Sequence, residues 1–288
     1  MVASFFRPRN LAGVSSLALL SACAFSHPDP VSDARMLVGK GQSAQAAREL
    51  ETALAQQPDP KKTVPERRLL IRIYGSLGQL GRARAHAERL AQELGLASPI
   101  PWIELGYALE LTHRYDEALE QYDRAAQAAP GDPLGPLTGG LRAARWGEGE
   151  LAEPRLEEAL RRDPRNGEAW HALGLVRAHR GDLDGAAIAY SSGLKADPRA
   201  VQDHIGLATI ALLRGDASAA LSEYDAIVSV RPKFADAQLG RSWALMKLGR
   251  LDDAQGALDR ARDLGASQRA LAAQERALAT LRLPNAVR

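Results

Sequence analysis

The chain has 288 residues, with 37 Lys and Arg against 35 Asp and Glu, a formal net charge of +2 and only 5% aromatic residues. Basic and acidic side chains alternate instead of gathering into a stripe, which excludes a nucleic-acid footprint, and the scarcity of aromatics with abundant Ala and Leu leaves little material for a β-sheet core. The single cysteine excludes a disulfide framework, so stability must come from packing.

At the N-terminus Arg7 and Arg9 precede an apolar run from Leu11 to Leu20, then Ser21, Ala22 and Cys23. Ten helical residues would span ~15 Å, half of a ~30 Å hydrocarbon core, so the run reads as a secretory signal rather than a lasting transmembrane anchor. Leu20-Ser21-Ala22-Cys23 resembles the lipobox of bacterial lipoproteins. That resemblance implies a signal peptide over 1–22 and lipidation of Cys23, giving a membrane-anchored mature chain. Ala24 after the cysteine resembles lipoproteins sorted to the outer membrane, facing the periplasm. Residues 23–30, with Pro28 and Pro30, read as a short stiff tether.

From there the chain is periodic. Ala118, Ala152, Ala186, Ala220 and Ala254 recur every 34 residues, and Ala46 and Ala83 extend the series backwards. The spacing divides 31–268 into units 27–60, 64–97, 99–132, 133–166, 167–200, 201–234 and 235–268. Unit 167–200 carries Trp170, Leu173, Gly174, Gly181, Ala186, Tyr190, Gly193 and Pro198; unit 99–132 carries Trp102, Leu105, Gly106, Tyr115, Ala118, Tyr122, Ala125 and Pro130. These patterns resemble the tetratricopeptide repeat. The resemblance implies an all-α, right-handed superhelical solenoid of about seven helix pairs, with the alanine at their close approach. Glycines such as Gly181 should end first helices, and prolines such as Pro198 should follow second ones. Trp170 is expected in the core, so that Trp170→Ala would cost ~3–5 kcal/mol.

Two units look irregular. Pro28 and Pro30 shorten the first helix of unit 27–60, which should begin near Val31. Unit 133–166 holds Pro133, Gly135, Pro136, Gly139 and Gly140 in its first helix and Pro154 in its second, and with helix-interior penalties of ~1 kcal/mol per Gly and ~3 per Pro it is the expected weak link and hinge. Leu271, Leu278 and Leu281 predict a capping helix over 269–283, leaving 284–288 as a tail.

Catalytic motifs do not hold. Gly147 to Ala152 matches G-x-G-x-x-A without a preceding strand, and Ser192 to Lys195 matches S-x-x-K without its companion elements. His171 and His179 stand two helical turns apart with no cysteine cluster, so no metal site is expected. No cofactor is called for, and the chain reads as a non-enzyme, with a solenoid-based enzyme as a remote alternative.

The resemblance places positions 5 and 9 of each first helix in the concave groove: Ile103 and Tyr107, Leu137 and Leu141, His171 and Leu175, Ile205 and Thr209, Leu239 and Trp243. This stripe is largely apolar. Only Arg68 and Arg72 bring charge, which argues against the lysine and asparagine pattern that clamps a C-terminal carboxylate. The expected ligand is therefore an amphipathic helix or apolar strand of a partner protein, anchored by Tyr107 and Trp243. Leu239 is the position most open to a packing role instead. Lipobox, tether and repeats together resemble pilotin and pilus-assembly lipoproteins of type IV and tight-adherence pili. A secretin or pilus protein is the partner this implies, with an adaptor for a periplasmic protease or cell-wall enzyme as the alternative.

Overall fold

The computed structural model describes residues 29–57, 59 and 62–283. Cys23, the signal segment, the tether before Asp29, Pro58 and the tail 284–288 lie outside them. Fifteen helices and no strand occur among the described residues. They form seven antiparallel pairs: α1 (Pro30–Gly39) with α2 (Ser43–Gln56), α3 (Val64–Ser76) with α4 (Leu80–Leu94), α5 (Ile100–Glu110) with α6 (Tyr115–Ala128), and α7 (Leu134–Arg145) with α8 (Gly149–Arg162). Then come α9 (Gly167–His179) with α10 (Leu183–Ala196), α11 (Val201–Leu213) with α12 (Ala217–Val230), and α13 (Ala235–Lys247) with α14 (Leu251–Asp263). A lone α15 (Gln268–Arg282) packs on α13 and α14.

The pairing follows from small side chains. All seven periodic alanines, Ala46, Ala83, Ala118, Ala152, Ala186, Ala220 and Ala254, are fully buried, because a larger group there would hold the two helices of a pair apart. One turn on from Ala118 and Ala186 along the same helices, aromatic rings sit directly on glycine backbone: a Cβ at Gly106 would fall within 3 Å of the Tyr122 ring, and one at Gly174 or Gly206 equally close to Tyr190. Chain reversal inside a pair uses a left-handed residue, such as Gly181 at φ 85°. In the third pair this place is held by His113 at φ 60°, the single non-glycine residue with positive φ among the described residues. Asp29, Asn166, Asp182 and Asp216 cap their helices, each side-chain oxygen accepting from a first-turn backbone N–H at 2.9–3.1 Å.

First helices pack on first helices of neighbouring units (α1 with α3, α3 with α5, α7 with α9, α9 with α11, α13 with α15), while second helices reach one another through long side chains, as Arg155 of α8 does Asp123 of α6. The first helices therefore line the inner, concave face. Successive units are also joined between residues 30–32 positions apart by ion pairs, among them Arg155 with Asp123 (2.6 Å) and Arg282 with Asp252 (2.8 Å), and by the hydrogen bond of His171 with Asp203 (2.7 Å).

Unit 133–166 departs from expectation. Helices α7 and α8 run without a break through all their glycines and through Pro154. A Cβ at Gly135 would meet the Ala126 backbone nitrogen at 2.5 Å, and one at Gly140 would meet Leu156 Cγ at 2.7 Å. These glycines are points of close helix approach, and tight packing offsets their poor helix propensity. The unit belongs to one apolar core that runs from Ala34 to Ala189. From α10 onwards apolar packing divides into small clusters around Tyr190, Ile227 and Ala208, before re-forming under the cap around Leu245 and Leu258. Buried polar groups collect in this stretch: Asp203, His204, Gln238 and Ser242. Trp170 also differs from expectation, being only partly buried, with its Nε1–H donating to the Pro164 carbonyl at 2.9 Å.

Candidate functional site

The concave face has two chemically distinct halves. In the C-terminal half, α9 and α11 diverge around a groove of about 460 Å³ that gathers His171, Leu175, Ile205 and Thr209 with Leu183, Tyr190 and Leu213. Its wall is mostly hydrocarbon. Leu175 and Leu213 are 41% and 67% exposed, which is unusual for leucine and leaves apolar area open to solvent. His171 donates through Nδ1–H to the buried carboxylate of Asp203, which fixes the imidazole at the groove wall. Burial, and then the Asp203 charge, pushes the Tyr190 hydroxyl up to about 12.

The N-terminal half is ionic. Glu104, 1% exposed on α5, accepts from Nε–H of Arg68 at 2.8 Å and from both Nε–H and Nη2–H of Arg72, the latter at 3.1 Å, with Arg68 Nη2 paired to it at 2.7 Å. One pair of helices farther on, Arg142 of α7 grips Glu110 through Nε at 2.7 Å and through Nη2, while the Tyr122 hydroxyl donates to the same carboxylate. Burial, and then the Glu110 hydrogen bond, raises the Tyr122 hydroxyl, and the bonds to Glu104 and Glu110 raise Arg72 and Arg142. Tyr107 stands between these clusters, with the Arg72 and Arg142 guanidinium carbons 5.0 and 5.1 Å from its ring centroid.

The ten groove residues read from the sequence thus separate. His171, Leu175, Ile205 and Thr209 share one groove. Ile103 and Leu137 are buried at 6% and 9%, so they pack between units and offer no surface to a partner; Leu239 is buried as well. Leu141 packs against the main core. Trp243 packs against the C-terminal cluster with Lys247 Nζ 5.1 Å over its ring, and Tyr107 is occupied by two guanidiniums, so neither is a bare apolar anchor. The sequence reading missed Glu104, Glu110 and Arg142 because it looked only at positions 5 and 9. A signal was present: Arg72 with Glu104 and Glu110 with Arg142 are both opposite charges 32 residues apart. Among the described residues no group of three or more His, Cys, Asp or Glu could hold a metal ion, and no helix is long and apolar enough to cross a membrane.

Comparisons with known proteins agree with this architecture. Profiles of the tetratricopeptide repeat match residues 99–132, 137–201 and 205–269, more than half of the chain. The chain is a tetratricopeptide-repeat protein. Its repeats resemble the Arabidopsis thaliana protein NPGR1, 31% identical over 125 residues, an alignment that covers 43% of this chain but only 18% of that protein. Among solved structures, a repeat protein from Cytophaga hutchinsonii overlays with a TM-score of 0.62 at 15% identity, covering 84% of this chain and 98% of that one. PilF of Pseudomonas aeruginosa gives 0.57 at 15%, covering 76% and 99%. YrrB, described as having an unusual peptide-binding site, gives 0.56 at 19%, covering 66% and 97%. At these identities the likeness is one of fold. As a tetratricopeptide-repeat protein the chain is a scaffold for protein–protein interaction.

Proposed function

We propose that this repeat protein is a non-catalytic, lipid-anchored scaffold in which Cys23 holds the solenoid on the periplasmic side of the outer membrane. Its concave face binds a peptide or domain of an envelope assembly, with secretin or pilus biogenesis as the machine served. The observation that carries partner binding is the open apolar groove between α9 and α11, where Leu175 and Leu213 are exposed to water. The location rests on the lipobox, and the pilus role on lipobox, tether and repeats occurring together; the resemblance in fold to PilF is compatible with it.

The test is crosslinking in cells followed by purification of the full chain, comparing wild type with Leu175→Glu/Thr209→Glu. Both side chains are exposed, so helical content should persist while the envelope component is lost. Capture of the same component by the folded double variant would move the ligand off this groove. Cys23→Ala should leave an uncleaved precursor that takes up no labelled fatty acid, and unchanged labelling would remove the anchor.

A further inference from the structure

The ionic half of the concave face is more than a structural clasp. Arg35 of α1, Arg68 and Arg72 of α3 and Glu104 line one cleft of about 240 Å³, and Arg72, Tyr107, Glu110, Leu111 and Arg142 line an adjoining one of about 380 Å³. Arg72 lines both, so the clefts adjoin. Four guanidiniums face two carboxylates there. Arg68, Arg72 and Arg142 all spend the same edge, Nε and Nη2, on Glu104 or Glu110. Among the described residues their Nη1 groups have no protein acceptor and Arg35 pairs with no carboxylate. The two carboxylates are 1% and 10% exposed, whereas Arg68 and Arg72 are 45% and 48% exposed, so compensation comes from beneath and the upper edge is open.

We infer that this cleft binds an acidic segment of a protein partner, its Asp or Glu side chains received by Arg35 and by the Nη1 edges of Arg68, Arg72 and Arg142. A guanidinium already fixed by one carboxylate and by an aromatic ring loses little further freedom on accepting a second, so the site is preorganised for carboxylate. The shape favours a peptide over a flat anion source: two adjoining clefts on an inner face accept successive side chains, while a lipid surface would meet the outer face. Nucleic acid would need a longer basic stripe than a chain of net charge +2 supplies. The inference rests on the reading of the concave face as partner-binding and adds an order to the ligand, with acidic residues at α1–α7 and apolar residues at α9–α11.

The probe is a labelled glutamate homopeptide, with a glutamine homopeptide of equal length as the uncharged control and phosphatidylglycerol vesicles as the lipid control, each titrated onto the full chain. Wild type should bind the glutamate peptide and not the glutamine peptide. Arg35→Glu touches neither buried carboxylate and so leaves the fold intact; it should weaken binding about tenfold, the sum of one lost attraction and one new repulsion at a partly exposed site. Arg72→Lys keeps a charge for Glu104 but removes the second edge, and should weaken binding about threefold with unchanged circular dichroism. No glutamate-peptide binding by wild type, undiminished binding in both variants, or Arg35-dependent binding of vesicles in its place would each overturn the assignment. Leu175→Glu/Thr209→Glu separates the two readings, since it should spare the glutamate peptide. If Arg35→Glu retains full capture of a partner that the groove variant loses, the groove stands and the acidic site falls.

Discussion

Units 99–200 and units 201–268 are built to one 34-residue plan, yet they hold together differently. The first are welded by one apolar core that reaches Ala189, in which the Tyr122 ring presses on the Gly106 backbone. In the second, rings still press on glycine, as Tyr224 does on Gly240, but around α11 and α12 apolar contacts are parcelled into small clusters among Asp203, His204, Gln238 and Ser242 before a larger cluster forms under the cap, and among the described residues the side-chain oxygens of Gln238 and Ser242 have no hydrogen-bond partner. Glycine-rich sequence is therefore a poor guide to weakness in this fold. What matters is whether the place vacated by the missing side chain is occupied by a neighbour.

The largest effect should come from filling such a place. Gly135→Val drives a branched side chain into the Ala126 backbone and should destabilise by about 3 kcal/mol or more, seen as a clear fall in melting temperature; an unchanged melt would mean that α6 and α7 are not in close contact. Trp170→Ala should cost about 2 kcal/mol, less than a buried tryptophan would, because one side of the indole is already wet. Gly256 on α14 has open space around it and an ordinary φ, so Gly256→Ala should raise stability by about 0.5–1 kcal/mol. The comparison itself is read by hydrogen exchange, with amides of α11 and α12 opening before those of α7 and α8. Protection that is lowest in α7 would restore unit 133–166 as the weak link. The smallest effect concerns alkali: the neutral form of Tyr190 is favoured in the fold and its hydroxyl titrates at about 12, against 10 when unfolded. The unfolded chain thus releases this proton first, and stability should decline as pH rises from about 10 towards 12, the decline shrinking in Tyr190→Phe.

The repeat plan was legible because its cause is steric and local. An alanine every 34 residues marks the contact that no other side chain but glycine tolerates, and Pro30, at the first turn of α1, could be placed from its ring alone. The partner face was half legible. Positions 5 and 9 do lie on first helices, but whether a side chain there reaches solvent depends on the rotation of one unit against the next, which the 34-residue period does not encode. Ile103 and Leu137 turn into a neighbour, while Leu175 and Thr209 stay open. Arg142 escaped notice because its role exists only relative to Glu110 on another helix.

The ion pairs spaced about one unit apart have a mechanical meaning. Each ties a unit to the next and none reaches further, so together they act as cross-stitches along a spring whose stiffness is set by nearest neighbours. Exposed stitches, such as Arg282 with Asp252, are screened by salt, whereas those seated on Glu104 are shielded from it. Rising ionic strength should therefore slacken the coil near its C-terminal end while α3 to α7 keep their pitch, so that the curvature presented to a bound partner is itself tuned by the surrounding electrolyte.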